Sequence, residues 1–343
     1  MTLRRFCVAA IVLGAAATSV LARKPALIRY EFSQAHMGTL FRIVLYAPDA
    51  VTASTASNAA FDRIAQLDDT MSDYRPSSEL RSLCRAAGGP PVKVSEDLYR
   101  ILAASQELAR RTDGAFDITI GPVVQLWRRA HRRHELPDAQ RLARARMLVG
   151  CEKLRVDPEK KTAQLSKKGM LLDLGGIAKG YAADQALDVL KQHGIQSALV
   201  AASGDIAVSA PPPGRAGWRI GIAPLESPEK PPSRYLSLHD AAVSTSGDVE
   251  QHVEIGGKRY SHIVDPRTGM ALTGRRSVTV IAPNATTSDS LATAISVLGP
   301  ERGLKLAESI DGVAVLFVEA TGEGPRVYEQ RLSAYSVADD AEK

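Results

Sequence analysis

The sequence predicts an α+β fold with largely antiparallel sheets and flanking helices. Three observations predict it. Past Gly169, short β-type runs (MLLDL, SALVAAS, DIAVSA, WRIGIA, YLSLH, SVTVIAP and VAVLFVEA) follow one another between Gly, Pro, Asn or Asp punctuation. Their spacing is hairpin-like. Two helical patterns interrupt them, one after Lys179 and one after Thr287, too few for the strand–helix alternation of a doubly wound parallel sheet.

Taken in order, residues 1–22 read as a secretory signal: Arg4 and Arg5 precede an apolar stretch from Phe6 to Ala17, and Val20-Leu21-Ala22 resembles a small-residue cleavage site. The stretch is short and alanine-rich beside the roughly 20 apolar residues of a membrane span. No cysteine follows it closely, so lipid attachment is not suggested, and an exported, periplasmic protein is expected. Its removal takes the net charge from +5 to +3, which gives no case for nucleic-acid binding. Cys84 and Cys151 remain in the mature chain; whether they pair is open at this stage.

Residues 40–46 (LFRIVLY) read as a strand, and Ala60, Ile64, Leu67 and Met71 recur at helical spacing in a helix from about Thr52 to Leu67. A second helix starts at Ser95, with Glu96 and Asp97 in its first turn, burying Leu98, Ile101, Leu102 and Leu108. Residues 128–146 carry Arg128, Arg129, Arg132, Arg133, Arg141, Arg144 and Arg146 with His131 and His134. This is a solvated helix and loop, or a docking patch for an acidic partner; the two histidines lack a third metal ligand nearby. Residues 210–216 and 225–233 are proline-rich loops, and residues 336–343 are a flexible tail.

Three constellations carry chemistry. In DLGGIAKGYAAD (173–184) a strand, Met170 to Leu174, runs through a glycine turn into a helix from Lys179 to His193. It matches neither GxxxxGK[ST] nor GxGxxG. Helix N-terminal amides and Lys179 still favour an anion, although a tight turn with a solvated lysine is equally open. TSDSLATA (287–294) opens a helix on which Asp289 and Thr293, four apart, share a face. Carboxylate and hydroxyl are hard oxygen ligands suited to Mg²⁺; the plainer alternative is a helix-start aspartate and a threonine bonded to its own backbone. YSHIVDPRTG (260–269) is a strand ending in a turn, with His262 as an acid/base or a satisfied polar residue. VSTSGD (243–248) reads as a hydroxyl-rich turn, phosphate-binding or only a loop.

These blocks, with Met37-Gly38-Thr39, MSDYRPSSEL (71–80), GAFDITIGP (114–122) and SGDI (203–206), resemble in order the FAD:protein FMN transferase (ApbE, flavin transferase) family over nearly all of residues 36–300. The resemblance implies a T-fold-like domain across residues 23–335 and an exported, Mg²⁺-dependent enzyme. Such enzymes move FMN from FAD to a Thr or Ser hydroxyl of an acceptor redox protein and release AMP; the acceptor can be a membrane protein met transiently. By resemblance, Met37, Tyr74, Ala115, Phe116, Asp117, Asp173, Lys179 and Val264 contact FAD. Gly176 (through its backbone), Asp289 and Thr293 hold the metal, and His262 is the acceptor hydroxyl's base, with a metal-linked carboxylate as rival. Ala292 stands where some members carry a second aspartate near the metal. An FAD pyrophosphatase giving FMN and AMP uses the same site, and a periplasmic flavin-binding protein uses it without cleavage.

Overall fold

Eight strands line up in chain order to make the main antiparallel sheet: Ile28–His36, Thr39–Ala47, Ala198–Ala202, Asp205–Val208, Ala241–Gly247, Arg276–Ala282, Ala314–Thr321 and Gly324–Gln330. The computed structural model describes residues 26–225, 230–232, 234–247 and 252–337. The expected signal (1–22), Asp248 and residues 338–343 lie outside them. Seven helices sit among the described residues: α1 (Ala50–Met71), α2 (Glu79–Arg85), α3 (Glu96–Arg111), α4 (Gly121–Arg133), α5 (Ala139–Arg146), α6 (Ala178–Gln192) and α7 (Ala285–Glu308). Among the described residues, no helix is long and apolar enough to cross a membrane.

Period-two alternation assigns the two faces of the sheet. Ile43, Leu45, Val278 and Val280 turn toward Ile64 of α1, Ala182 and Ala186 of α6, and Leu291 and Ile295 of α7. Val44, Leu199, Val243, Ile281 and Leu316 turn the other way, under Trp218, Ile220, Leu236 and Leu238. Those covering residues belong to a small sheet of Trp218–Ile222, Arg234–Leu238 and Ser336–Val337, so the first two residues of the expected tail are paired. Another small sheet (His252–Ile255, Lys258–Val264, Ala271–Thr273) packs on α4, where Trp127 lies 5.3 Å from the Tyr260 ring and donates to the Gly269 carbonyl at 2.8 Å.

Side-chain caps set the helix starts. Asp49 accepts from Thr52 N at 2.8 Å, Ser95 from Leu98 N at 3.2 Å, and Asn284 from Thr287 N at 2.8 Å. Such caps are typically worth about 1 kcal/mol each. α1 runs longer than its periodic stripe predicted, from Ala50 to Met71. Two expectations are corrected. MLLDL is not a strand: Met170, Leu172 and Leu174 are buried, but Leu172 N donates to Cys84 Sγ and Asp173 N to the Ile118 carbonyl at 2.8 Å. Alternating burial needs only a packed side, not a ladder. The described part of VSTSGD, residues 243–247, is not a turn: Ala241–Gly247 is a central strand, and Ser244, Thr245 and Ser246 meet the hydroxyls of Ser288, Thr279 and Thr293. Cys84 and Cys151 are both free thiols, Cys84 buried.

Candidate active site

The site begins where the N-terminus of α6 meets the first two turns of α7. Asp184, in the second turn of α6, accepts from Ala285 N (2.7 Å), Thr286 N (2.8 Å) and Thr286 Oγ1 (2.6 Å). A side chain of one helix thus satisfies the orphan amides of the other. Gly180 lets the two helices close: a Cβ there would stand 2.1 Å from the Ala285 carbonyl oxygen. Its amide donates to Asp289 Oδ2 at 3.0 Å.

Around that contact charge gathers. Lys179 Nζ lies 2.5 Å from Asp205 Oδ2 and 3.9 Å from Asp289 Oδ2. Asp205 and Asp289 are both buried. Burial and the neighbouring Asp205 push the Asp289 carboxyl up to about 7, against the pull of Lys179 and the Gly180 amide. Burial alone would lower Lys179, but Asp289 and Asp205 raise it above its ordinary value, so it stays an ammonium. Two carboxylates share one cation, and the excess negative charge favours a further cation.

Hydroxyls complete the wall. A Cβ on Gly176 would come within 2.9 Å of Thr293 Oγ1, so the glycine turn is packed against α7 at Thr293. Ser246 Oγ stands 3.5 Å from Thr293 Oγ1, and Ser244 Oγ 2.8 Å from Ser288 Oγ. Ala292 is fully buried. Among the described residues no three His, Cys, Asp or Glu side chains gather as a metal cage. The mixed donor set of Asp289 carboxylate, Thr293 hydroxyl and Gly176 backbone suits a hard cation such as Mg²⁺, which binds through one or two carboxylates and keeps open positions. Two buried carboxylates facing a single lysine fit it too.

A second group forms where the loop after α1, α4 and the run before the glycine turn converge. Arg128 of α4 bonds Asp73 with one nitrogen and Asp173 Oδ2 with the other at 2.8 Å, and its Cζ lies 4.4 Å from the centre of the Tyr74 ring. Asp173 Oδ1 accepts from Gly175 N at 2.8 Å. Burial raises the Asp173 carboxyl, with Arg128 opposing it. The reading of Arg128 as part of a solvated or docking arginine run is therefore corrected: it faces two carboxylates and a ring.

The remaining expected residues are distributed as follows. Ala115 and Phe116 are buried, and so is Asp117, whose Oδ1 takes Thr119 N (2.8 Å) and Oγ1 (2.7 Å). Asp117 also lines a cavity of about 630 Å³ with Arg110, Arg146, Cys151, Glu152 and Arg267. Met37, at φ 49°, donates its N–H to Asp68 at 3.2 Å and lines a separate hollow with His36 and Arg75. Val264 is buried. His262 is exposed on the same strand, whose Ile263 packs with Ala115 and with Val297 of α7. The structure thus joins Gly176, Lys179, Asp289 and Thr293, and separately Tyr74 with Asp173. Asp205, Asp184 and Arg128 were missed. The signal for Asp205 was the lone charge between two apolar strands, and for Asp184 a carboxylate one turn beyond Lys179.

The ApbE family model matches residues 37–317. The chain belongs to the ApbE family. Curated relatives named FAD:protein FMN transferase include one from Treponema pallidum, 35% identical over 84% of this chain and 84% of its own length, and one from Vibrio cholerae, 31% identical over 85% and 88%. The ApbE fold extends to solved structures. The flavin transferase ApbE from Vibrio cholerae superposes with a TM-score of 0.80 at 29% identity, covering 90% of this chain and 99% of that one. The apo flavinyl transferase ApbE of Pseudomonas stutzeri gives 0.79 at 31%, covering 90% and 96%. The α+β architecture with mostly antiparallel sheets is the one these ApbE structures share.

Proposed function

We propose that this chain is an exported, Mg²⁺-dependent FAD:protein FMN transferase that places FMN on a Thr or Ser hydroxyl of an acceptor protein and releases AMP. The observation that carries the reading is the excess buried carboxylate at the α6–α7 contact beside a charged lysine, in a chain whose relatives are named for this transfer. The pyrophosphate of FAD is a dianion, and an incoming hydroxyl is repelled until that charge is neutralised. Lys179 is held fully protonated and partly exposed for this purpose. Asp173 accepts a ring N–H, while Tyr74 offers a flat apolar face to a ring. Asp289, Thr293 and the Gly176 backbone would hold Mg²⁺, which would supply positive charge to the phosphates and the departing AMP. The acceptor oxygen attacks the FMN phosphorus, the bond to the AMP oxygen breaks, and His262 takes the hydroxyl proton.

The test is incubation with FAD, Mg²⁺ and an acceptor carrying a Ser/Thr-Gly-Ala-Ser/Thr-like site. A fluorescent adduct stable to acid, with AMP equal to the flavin bound, is expected. Free FMN and AMP in the presence of acceptor would instead make the chain a pyrophosphatase. FAD bound without AMP release would make it a flavin-binding protein. N-terminal sequencing of exported protein tests the signal, and a mature chain starting at Met1 refutes it.

A further inference from the structure

We infer that Arg128 is a positioning residue of the nucleotide site: it fixes the Tyr74 ring and the Asp173 carboxylate as one preformed platform for the planar ring of a flavin nucleotide. The inference rests on the proposed function, and it adds a residue from outside the motifs that point to that function.

Tyr74 is 74% exposed, so packing does not hold its ring. A free aromatic side chain at such a position turns among its rotamers, and stacking a ligand on it costs the freezing of that motion. Here the guanidinium of Arg128 covers one face of the ring at 4.4 Å and leaves the other to solvent. Cation and ring attract through the ring's quadrupole. Arg128 is itself immobilised. One nitrogen bonds Asp73, the neighbour of Tyr74 in the chain, and the other bonds Asp173 Oδ2 at 2.8 Å. The fork therefore locks the ring, the loop that carries it and the carboxylate that opens the glycine turn.

Asp173 then has a defined job for each oxygen. Oδ1 holds Gly175 N at 2.8 Å and sets the turn that delivers Gly176 and Lys179; Oδ2 is aimed by Arg128. A carboxylate oxygen has two lone-pair directions, so Oδ2 can keep Arg128 and still accept a ring N–H. Lysine at this position could not do the same, since a point-charge ammonium cannot bond two carboxylates in a fork and lie flat on a ring. Asp73 and Asp173 approach one another from two segments with Arg128 between them. Removing the arginine leaves two carboxylates facing and drives the platform apart.

The experiment measures FAD binding by quenching of flavin fluorescence, and AMP release with acceptor, for the full mature chain and for R128A, R128K, Y74A and the R128A/Y74A double variant. Wild type is measured first, and if it binds no FAD the proposed function fails and this inference with it. With wild type binding, R128A is expected to raise the FAD Kd about tenfold. The change falls on KM for FAD far more than on kcat, because no reacting atom is touched. R128K is expected to recover less than half of the loss. The double variant is expected to bind more tightly than the product of the two single losses predicts, since part of what Arg128 does it does through the Tyr74 ring. Should R128A not fold, R128K and Y74A carry the same comparison. An R128A or R128K Kd equal to wild type overturns the inference while leaving the proposed function standing. So does a double variant whose losses multiply.

Discussion

Replacing Gly180 with alanine sets two effects of opposite sign against each other. Gly180 lies inside α6, where glycine is less favourable than alanine by about 1 kcal/mol, so helix propensity alone predicts stabilisation. The structure predicts the reverse. The new Cβ would meet the Ala285 carbonyl oxygen at 2.1 Å, its carbon at 2.6 Å and Asp289 Cβ at 2.9 Å. The first contact is more than 1 Å inside ordinary van der Waals separation of about 3.5 Å. Two of the three atoms are backbone, so no rotamer change relieves the overlap and the helices must part. Overpacking of this kind costs about 1–3 kcal/mol, and losing the amide bond to the Asp289 carboxylate adds about 1.5–3 kcal/mol. The clash wins, with a net loss of about 2 kcal/mol or more. The same retreat of about 1 Å moves Lys179 relative to Asp289 and should slow AMP release about 100-fold. Urea denaturation and AMP release from FAD are the assays. A G180A chain with a wild-type or raised urea midpoint and wild-type AMP release refutes the reasoning.

Lys179→Met leaves the buried Asp205 and Asp289 without their shared cation; a loss of about 3 kcal/mol in urea is expected, together with loss of AMP release, and an unchanged midpoint would show the pair to be solvated. Asp289→Ala should nearly abolish AMP release while FAD still quenches on binding; normal turnover removes Asp289 from the metal set. For Asp97, burial pushes the carboxyl up, but hydrogen bonds from Arg63 (2.8 Å) and Tyr181 (2.8 Å) outweigh it and hold it below its ordinary 3.8. A depressed carboxyl stabilises the fold above its unfolded value and loses that contribution as pH falls through the folded one. Asp97→Asn should therefore be less stable at neutral pH and show a shallower acid limb below about pH 4, and an acid unfolding curve parallel to wild type counts against the pairing.

What the sequence disclosed follows what each signal can report. The α6 stripe of Ala182, Ala186 and Leu190 and the α7 stripe of Leu291 and Ile295 gave both helices, because period 3.6 at buried positions is a local property. Gly176 and Thr293 could be placed in one site only through the resemblance; their contact depends on how α6 and α7 approach, which no local pattern encodes. MLLDL looked like a strand because burial on alternate sides is shared by strands and by extended runs without a ladder. VSTSGD looked like a turn because serine and threonine favour turns, and the tertiary partners Ser288 and Thr293 overrode that preference. Arg128 was hidden by its company: among exposed arginines, nothing in the sequence marks the one whose fork meets Asp73 and Asp173.

The bond from the Gly180 amide to Asp289 joins residues 109 positions apart. The lysine and the carboxylate it shares therefore belong to stretches of chain that leave the ribosome, and cross any export channel, at different times. Until the later stretch arrives, Lys179 has no Asp289 beside it and α7 has no amides for Asp184 to cap. If the proposed function holds, cleavage of FAD waits for α6 and α7 to meet, and a chain that has emerged only as far as Lys179 cannot spend FAD.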